Sequence, residues 1–142
     1  MEKAADPILQ VLHQYKAAVL AKDVDAFVAL YDPDILAFDM WGVWTYEGIA
    51  SWRNMVKGWF GSLGAERVIV DFSEAQITVS QDLAVVHAFV SYRAVAADGE
   101  ELRSMDNRMT ATLRQTGEGW KIFHQHSSSP IDPATTKVIF KR

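Results

Sequence analysis

The chain contains no cysteine. That absence excludes disulfide staples, thiolate nucleophiles and cysteine-ligated zinc together. No apolar run approaches the roughly 18 residues of a membrane-spanning helix, and the opening MEKAADP carries no apolar leader segment. Charge of one sign is missing too: 14 basic and 18 acidic residues are mixed along the chain, for a net −4 with no run of either. A nucleic-acid surface is therefore not expected. No repeat, linker or low-complexity stretch interrupts the sequence, so the expectation is one soluble, cytoplasmic domain over residues 1–142. At 49% hydrophobic residues, that domain can bury a sizeable core.

The first half has helical periods. Asp6-Pro7 reads as a helix start, followed by Ile8, Val11, Leu12, Tyr15 and Val19 at helical spacing. Asp23 caps a second, short helix carrying Phe27, Leu30 and Tyr31, which Asp32-Pro33 is expected to end. Residues 35–44 form an apolar and aromatic stretch with a single acid, Asp39, and suggest a short strand or hairpin ending near Gly42. Gly48 then opens a third helix, with Ile49, Trp52, Met55, Val56 and Trp59 on its apolar stripe.

After Gly64 the period changes to that of strands, expected at 67–80, 83–96, 102–115 and 119–128. Their connections are Gln81-Asp82, Asp98-Gly99 and Thr116-Gly117-Glu118. In the first of these strands the apolar set moves from Val68, Val70 and Phe72 to Ala75, Ile77 and Val79. A switch from even to odd positions needs one extra residue near Ser73-Glu74, a β-bulge that bends the sheet. Helices first and a bent antiparallel meander second make an α+β fold: a cone-shaped, curved, mostly antiparallel sheet wrapped around the long N-terminal helix.

Several landmarks carry a resemblance: Tyr15 in the first helix, KDVDAF at 22–27, LYDPD at 30–34, Gly48, Arg108-Met109-Thr110, and the closing GWKIFHQHS at 119–127. In order and spacing they resemble the nuclear transport factor 2-like superfamily, which includes ketosteroid isomerases, scytalone dehydratase and SnoaL-like cyclases. The ending is similar to the SnoaL-like subgroup and to the association domain of calcium/calmodulin-dependent kinase II. In ketosteroid isomerases a helix-1 tyrosine holds the oxyanion and an aspartate shuttles the proton. Tyr15 and Asp39 stand at the matching places, while the isomerases' second oxyanion residue, a late-strand aspartate, has no clean counterpart, Asp106 being misplaced. The association domain's pocket arginine implies a carboxylate- or enolate-binding role for Arg108. Its last strand implies that Gln125 and Ser127 face the pocket, with His124 and His126 on an outer, dimer-forming face.

The residues read independently leave alternatives at each position. Asp39, flanked by Phe38, Met40 and Trp41, is a candidate general base with a desolvated carboxyl, or else a turn cap or a partner of Arg53. Tyr15 donates its hydroxyl into a pocket or bonds a backbone carbonyl of the core. Arg108 grips a ligand oxygen through its planar guanidinium or pairs with an acid. Trp41, Trp44, Trp52, Trp59 and Phe89 line a pocket for a flat or cyclic ligand, or pack in the core or at an interface. Asp106, Gln125, Ser127 and, near the mouth, His126 complete the candidate binding set. His124 and His126 with His87 would make a metal site only on an unproven strand order, so no metal or cofactor is expected. The functional expectation is a pocket protein resembling cofactor-independent isomerases, cyclases or dehydratases that move a proton on a cyclic or polyketide-like carbonyl compound. The alternative is a non-catalytic ligand-binding or oligomerisation module. The partners expected are a small apolar or cyclic ligand and a second copy across the outer sheet face.

Overall fold

A computed structural model describes residues 2–142. Helix α1 (Glu2–Ala21) and the short α2 (Val24–Val28) lead into strand β1 (Tyr31–Phe38). A two-residue strand β2 (Tyr46–Glu47) and helix α3 (Ile49–Ser62) follow. The chain then runs through β3 (Arg67–Ser80), β4 (Leu83–Val95), β5 (Glu101–Thr116) and β6 (Gly119–Ser128). The six strands form one sheet in the order β2-β1-β6-β5-β4-β3, antiparallel except where β1 runs parallel to β6. The architecture is the expected α+β arrangement, an open, curved sheet around a long N-terminal helix.

The curvature has a local cause. Ser73 pairs with Phe89 and Gln76 with His87, so Glu74 and Ala75 together face one residue of β4. Glu74 takes the left-handed conformation (φ 55°), and this is the bulge that the parity switch calls for. On the concave face Val70, Val86, Val90, Met109, Leu113 and Ile122 are buried. Ile8, Val11, Leu12, Tyr15 and Val19 of α1, and Trp52, Val56 and Phe60 of α3, join them in one core.

Several boundaries differ from the sequence reading. Helix α1 runs through Pro7 and already includes Glu2; a proline this near the start forfeits a single intrahelical bond. The second helix stops at Val28, and Tyr31, Asp32 and Pro33 open β1 instead of ending the helix. The pairing of β1 with β6 shifts register between Tyr31 and Leu36, so Pro33 sits where no ladder bond needs its missing N–H. The strand or hairpin expected to end near Gly42 ends at Phe38, leaving 39–45 irregular, with Asp39 the first residue beyond the strand.

Strand β6 pairs with β5 only from Arg108 onward, which leaves the first half of β5 open on that side. The C-terminal segment returns to this edge. It folds on itself at Ile131 and Val138, and the Asp106 N–H donates to the Phe140 carbonyl at 2.7 Å.

Candidate functional site

The wide end of the sheet, α3 and the loop after β1 enclose a cavity of about 610 Å³. Its wall is largely aromatic, with Phe27, Trp41, Tyr46, Trp52, Trp59, Tyr92 and Phe140 among the lining residues. Tyr15 reaches it from α1, packed between Phe27 (centroids 4.8 Å) and Phe72 (5.5 Å). Its hydroxyl lies 3.0 Å from that of Tyr92 on β4. Burial, the largest cause, raises the pKa of both phenols, Tyr92 to about 12. At neutral pH both are protonated and able to donate.

Asp39 lines the same cavity. Burial raises its carboxyl pKa, and a hydrogen bond from the Met40 backbone partly opposes the shift. Among the described residues no cation lies within ion-pair distance of it; Arg53, the candidate partner, is bonded to Asp25 at 2.7 Å. The Asp39 charge also contributes to the raised pKa of Tyr15, Tyr31, Tyr46 and Tyr92, so all four phenols feel one carboxylate that no nearby cation neutralises. That is an arrangement for taking up a proton and for donating hydrogen bonds to an oxygen beside it.

Of the residues singled out from sequence, the structure brings Tyr15, Asp39, Trp41, Trp52, Trp59, Gln125 and Ser127 together around this cavity. Gln125 and Ser127 are buried on the concave face, and Tyr31 donates to Gln125 Oε1 at 2.6 Å. Five others lie elsewhere. Arg108 is exposed on the convex face, donating to Ser128 Oγ at 3.2 Å. Along β5, Met109, Ala111 and Leu113 take the core side, and strict alternation turns Arg108 and Asp106 outward. Phe89 pairs with Arg108 on that outer face, under the guanidinium of Arg142 at 3.6 Å. His126 is exposed there too, edge-on to Phe38, and His124 Nδ1 is engaged by the Leu36 carbonyl at 2.7 Å. Trp44 is 94% exposed in the loop after β1 and does not line the cavity.

Asn107 is one of the polar lining residues that the sequence reading passed over, with Tyr92 and Arg103. Only 7% exposed, it has Met40 Sδ as the weak partner of Nδ2 at 3.8 Å, and its Oδ1 has none. That oxygen is buried at the cavity wall without a hydrogen-bond partner, as is Trp52 Nε1. The signal was present in the parity: Met105, Asn107 and Met109 share a face, and one polar residue in an apolar series marks a site. Tyr92 interrupts Val86, Ala88, Val90 and Ala94 in the same way.

The profile of the SnoaL-like domain matches residues 8–132. No curated protein matches the chain. Among solved structures, a nuclear transport factor 2-like protein of unknown function from Pseudomonas putida KT2440 is 25% identical, covering 100% of this chain and 97% of its own, with a TM-score of 0.87. Aln2 from a Streptomyces species is similar in fold at 9% identity, with a TM-score of 0.78 over 89% of this chain and 90% of its own. So is a nuclear transport factor 2-like protein with a cystatin-like fold from Novosphingobium aromaticivorans, at 18% identity, a TM-score of 0.74, and 88% and 80% coverage. With the family profile spanning most of its length and the same helix-wrapping sheet, the chain belongs to the SnoaL-like family of the nuclear transport factor 2-like superfamily.

Proposed function

We propose that this SnoaL-like domain is a cofactor-independent isomerase, cyclase or dehydratase that moves a proton on a cyclic or polyketide-like carbonyl compound. The observation that carries the reading is a desolvated Asp39 carboxylate with no cationic partner among the described residues, in the same aromatic cavity as the Tyr15–Tyr92 hydroxyl pair. Asp39 takes a proton from the carbon beside the carbonyl, and the oxygen that becomes an enolate accepts a hydrogen bond from Tyr15. Tyr92 fixes the Tyr15 hydroxyl, while Trp41, Trp52 and Trp59 hold the ring and keep water away from the carboxylate. Return of the proton to a different carbon isomerises the compound; expulsion of a hydroxyl from the carbon β to the carbonyl, which takes back the Asp39 proton and leaves as water, dehydrates it.

The test is a panel of cyclic enones and β-keto compounds against the wild type, Asp39→Asn and Tyr15→Phe. Each variant is expected to bind its ligand within a few-fold of wild type. Turnover should fall by about 10²–10⁴ without the base and by about 10²–10³ without the oxyanion donor. Undiminished turnover in Asp39→Asn removes the proposal. Tight binding without turnover across the panel supports the other reading, a ligand-binding module of the same fold.

A further inference from the structure

The last ten residues, 133–142, lie beyond the segment that the family profile matches, yet they reach the cavity. Phe140 lines it and stacks on Trp41, with ring centroids 5.7 Å apart and planes 15° from parallel. Trp41 is 52% exposed and Phe140 37%, so the stack stands at the solvent edge of the cavity and outside the core. The two rings belong to segments held in different ways. Phe140 sits on a strap tied to the sheet by the backbone bond from Asp106 N–H to Phe140 C=O at 2.7 Å, and closed on itself by Ile139 N–H to Pro130 C=O at 2.8 Å. The Arg142 N–H adds a bond to Asp106 Oδ2 at 3.0 Å. Trp41 sits in the irregular 39–45 loop, where the internal backbone bond runs from Val43 N–H to Trp41 C=O at 2.8 Å. One side of the mouth is thus anchored, and the other depends on side-chain contact.

We propose that Phe140 and Trp41 form an aromatic clamp across the cavity mouth, which parts to admit a ligand and closes behind it, making Phe140 a residue that governs access to the site. The geometry separates this role from a structural one. The strap is docked through the carbonyl of Phe140, so removing the ring leaves the backbone tie in place. The ring meets Trp41, two residues beyond Asp39, so closure covers the carboxylate end of the cavity. The clamp holds whether or not the cavity is catalytic, since it concerns passage alone.

Acrylamide, a small neutral quencher, tests it through the two lining tryptophans, Trp52 and Trp59. A Trp41→Phe/Trp44→Phe/Trp120→Phe background leaves only those two as reporters and keeps an aromatic ring opposite Phe140. Adding Phe140→Ala is expected to raise the quenching constant at least twofold, within the roughly two- to tenfold factor that an aromatic pair contributes. Exchange of the Asp106 amide should stay protected, reporting that the strap is still docked. An unchanged quenching constant overturns the clamp. Should Asp106 protection be lost with the ring, a tethered variant decides. Trp41→Cys/Phe140→Cys in a Trp44→Phe/Trp120→Phe background offers the only two thiols in the chain to a short bis-maleimide. The linked form must quench more slowly than the same variant unlinked; equal quenching overturns the proposal.

Discussion

Replacing Tyr31 by phenylalanine tests how the cavity wall is held. Tyr31 and Gln125 are each 4% exposed, and the phenol donates to Gln125 Oε1 at 2.6 Å. Phenylalanine keeps the ring, which packs at 5.4 Å from Phe27 and 5.5 Å from Trp52, and deletes only the donor. The acceptor is then left buried without a partner, at a cost of about 1–3 kcal/mol. For a domain of this size that corresponds to roughly 3–10 °C in Tm. Removing both polar partners in Tyr31→Phe/Gln125→Leu leaves nothing unsatisfied and should recover most of the loss, because paired deletion of a buried hydrogen bond is nearly neutral. Urea unfolding of the wild type, both single variants and the double variant closes the cycle, with an unchanged m-value as the sign that the denatured state is unaltered. Costs that simply add in the double variant would refute the argument.

Three further outcomes follow from the site and the sheet. The raised pKa of Asp39 means that the folded state keeps this proton to higher pH than the unfolded chain does, so stability attributable to the group falls as pH rises from the ordinary carboxyl range through the raised value. Asp39→Asn should therefore be more stable than wild type at pH 7–8, with the gap closing on acidification toward about pH 4; denaturant midpoints across that range check it, and a gap that widens in acid contradicts the desolvated carboxylate. On the convex face, which carries exposed Val85 and, farther along β4, half-buried Phe89, we propose a seat for a second copy; if two copies pair there, Val85→Lys should shift them toward monomer in light scattering. Arg108→Ala, on the same face, should leave ligand binding and turnover within about twofold of wild type, and a larger loss would return Arg108 to the site.

Much of the architecture was legible along the chain. The bounds of β3 and β6, the Gly48 start of α3 and the bulge at Glu74 follow from local pattern, because side-chain period and turn chemistry act over a few residues. Asp39 stood out for the same reason, as a lone acid among aromatics. Arg108 shows where that legibility ended. Its face was readable from Asp106, Thr110 and Thr112, but which face wraps α1 depended on Met109, Ala111 and Leu113 being the more apolar set. The implied pocket role had placed it on the opposite side.

Sequence pattern by itself thus determined the three helices, the four long strands, their order and the bend, since each rests on contacts between near neighbours. Tertiary structure alone decided that Tyr31 leaves its helix for β1, that Tyr92 and Asn107 meet Tyr15 and Asp39 at one cavity, and that Phe140 returns to close it. These pairings join distant positions: Tyr15 and Tyr92 stand 77 residues apart, Tyr31 and Gln125 94. Spacing along the chain carries no record of them, because they arise when the sheet curls and an open edge of β5 needs a partner for its backbone.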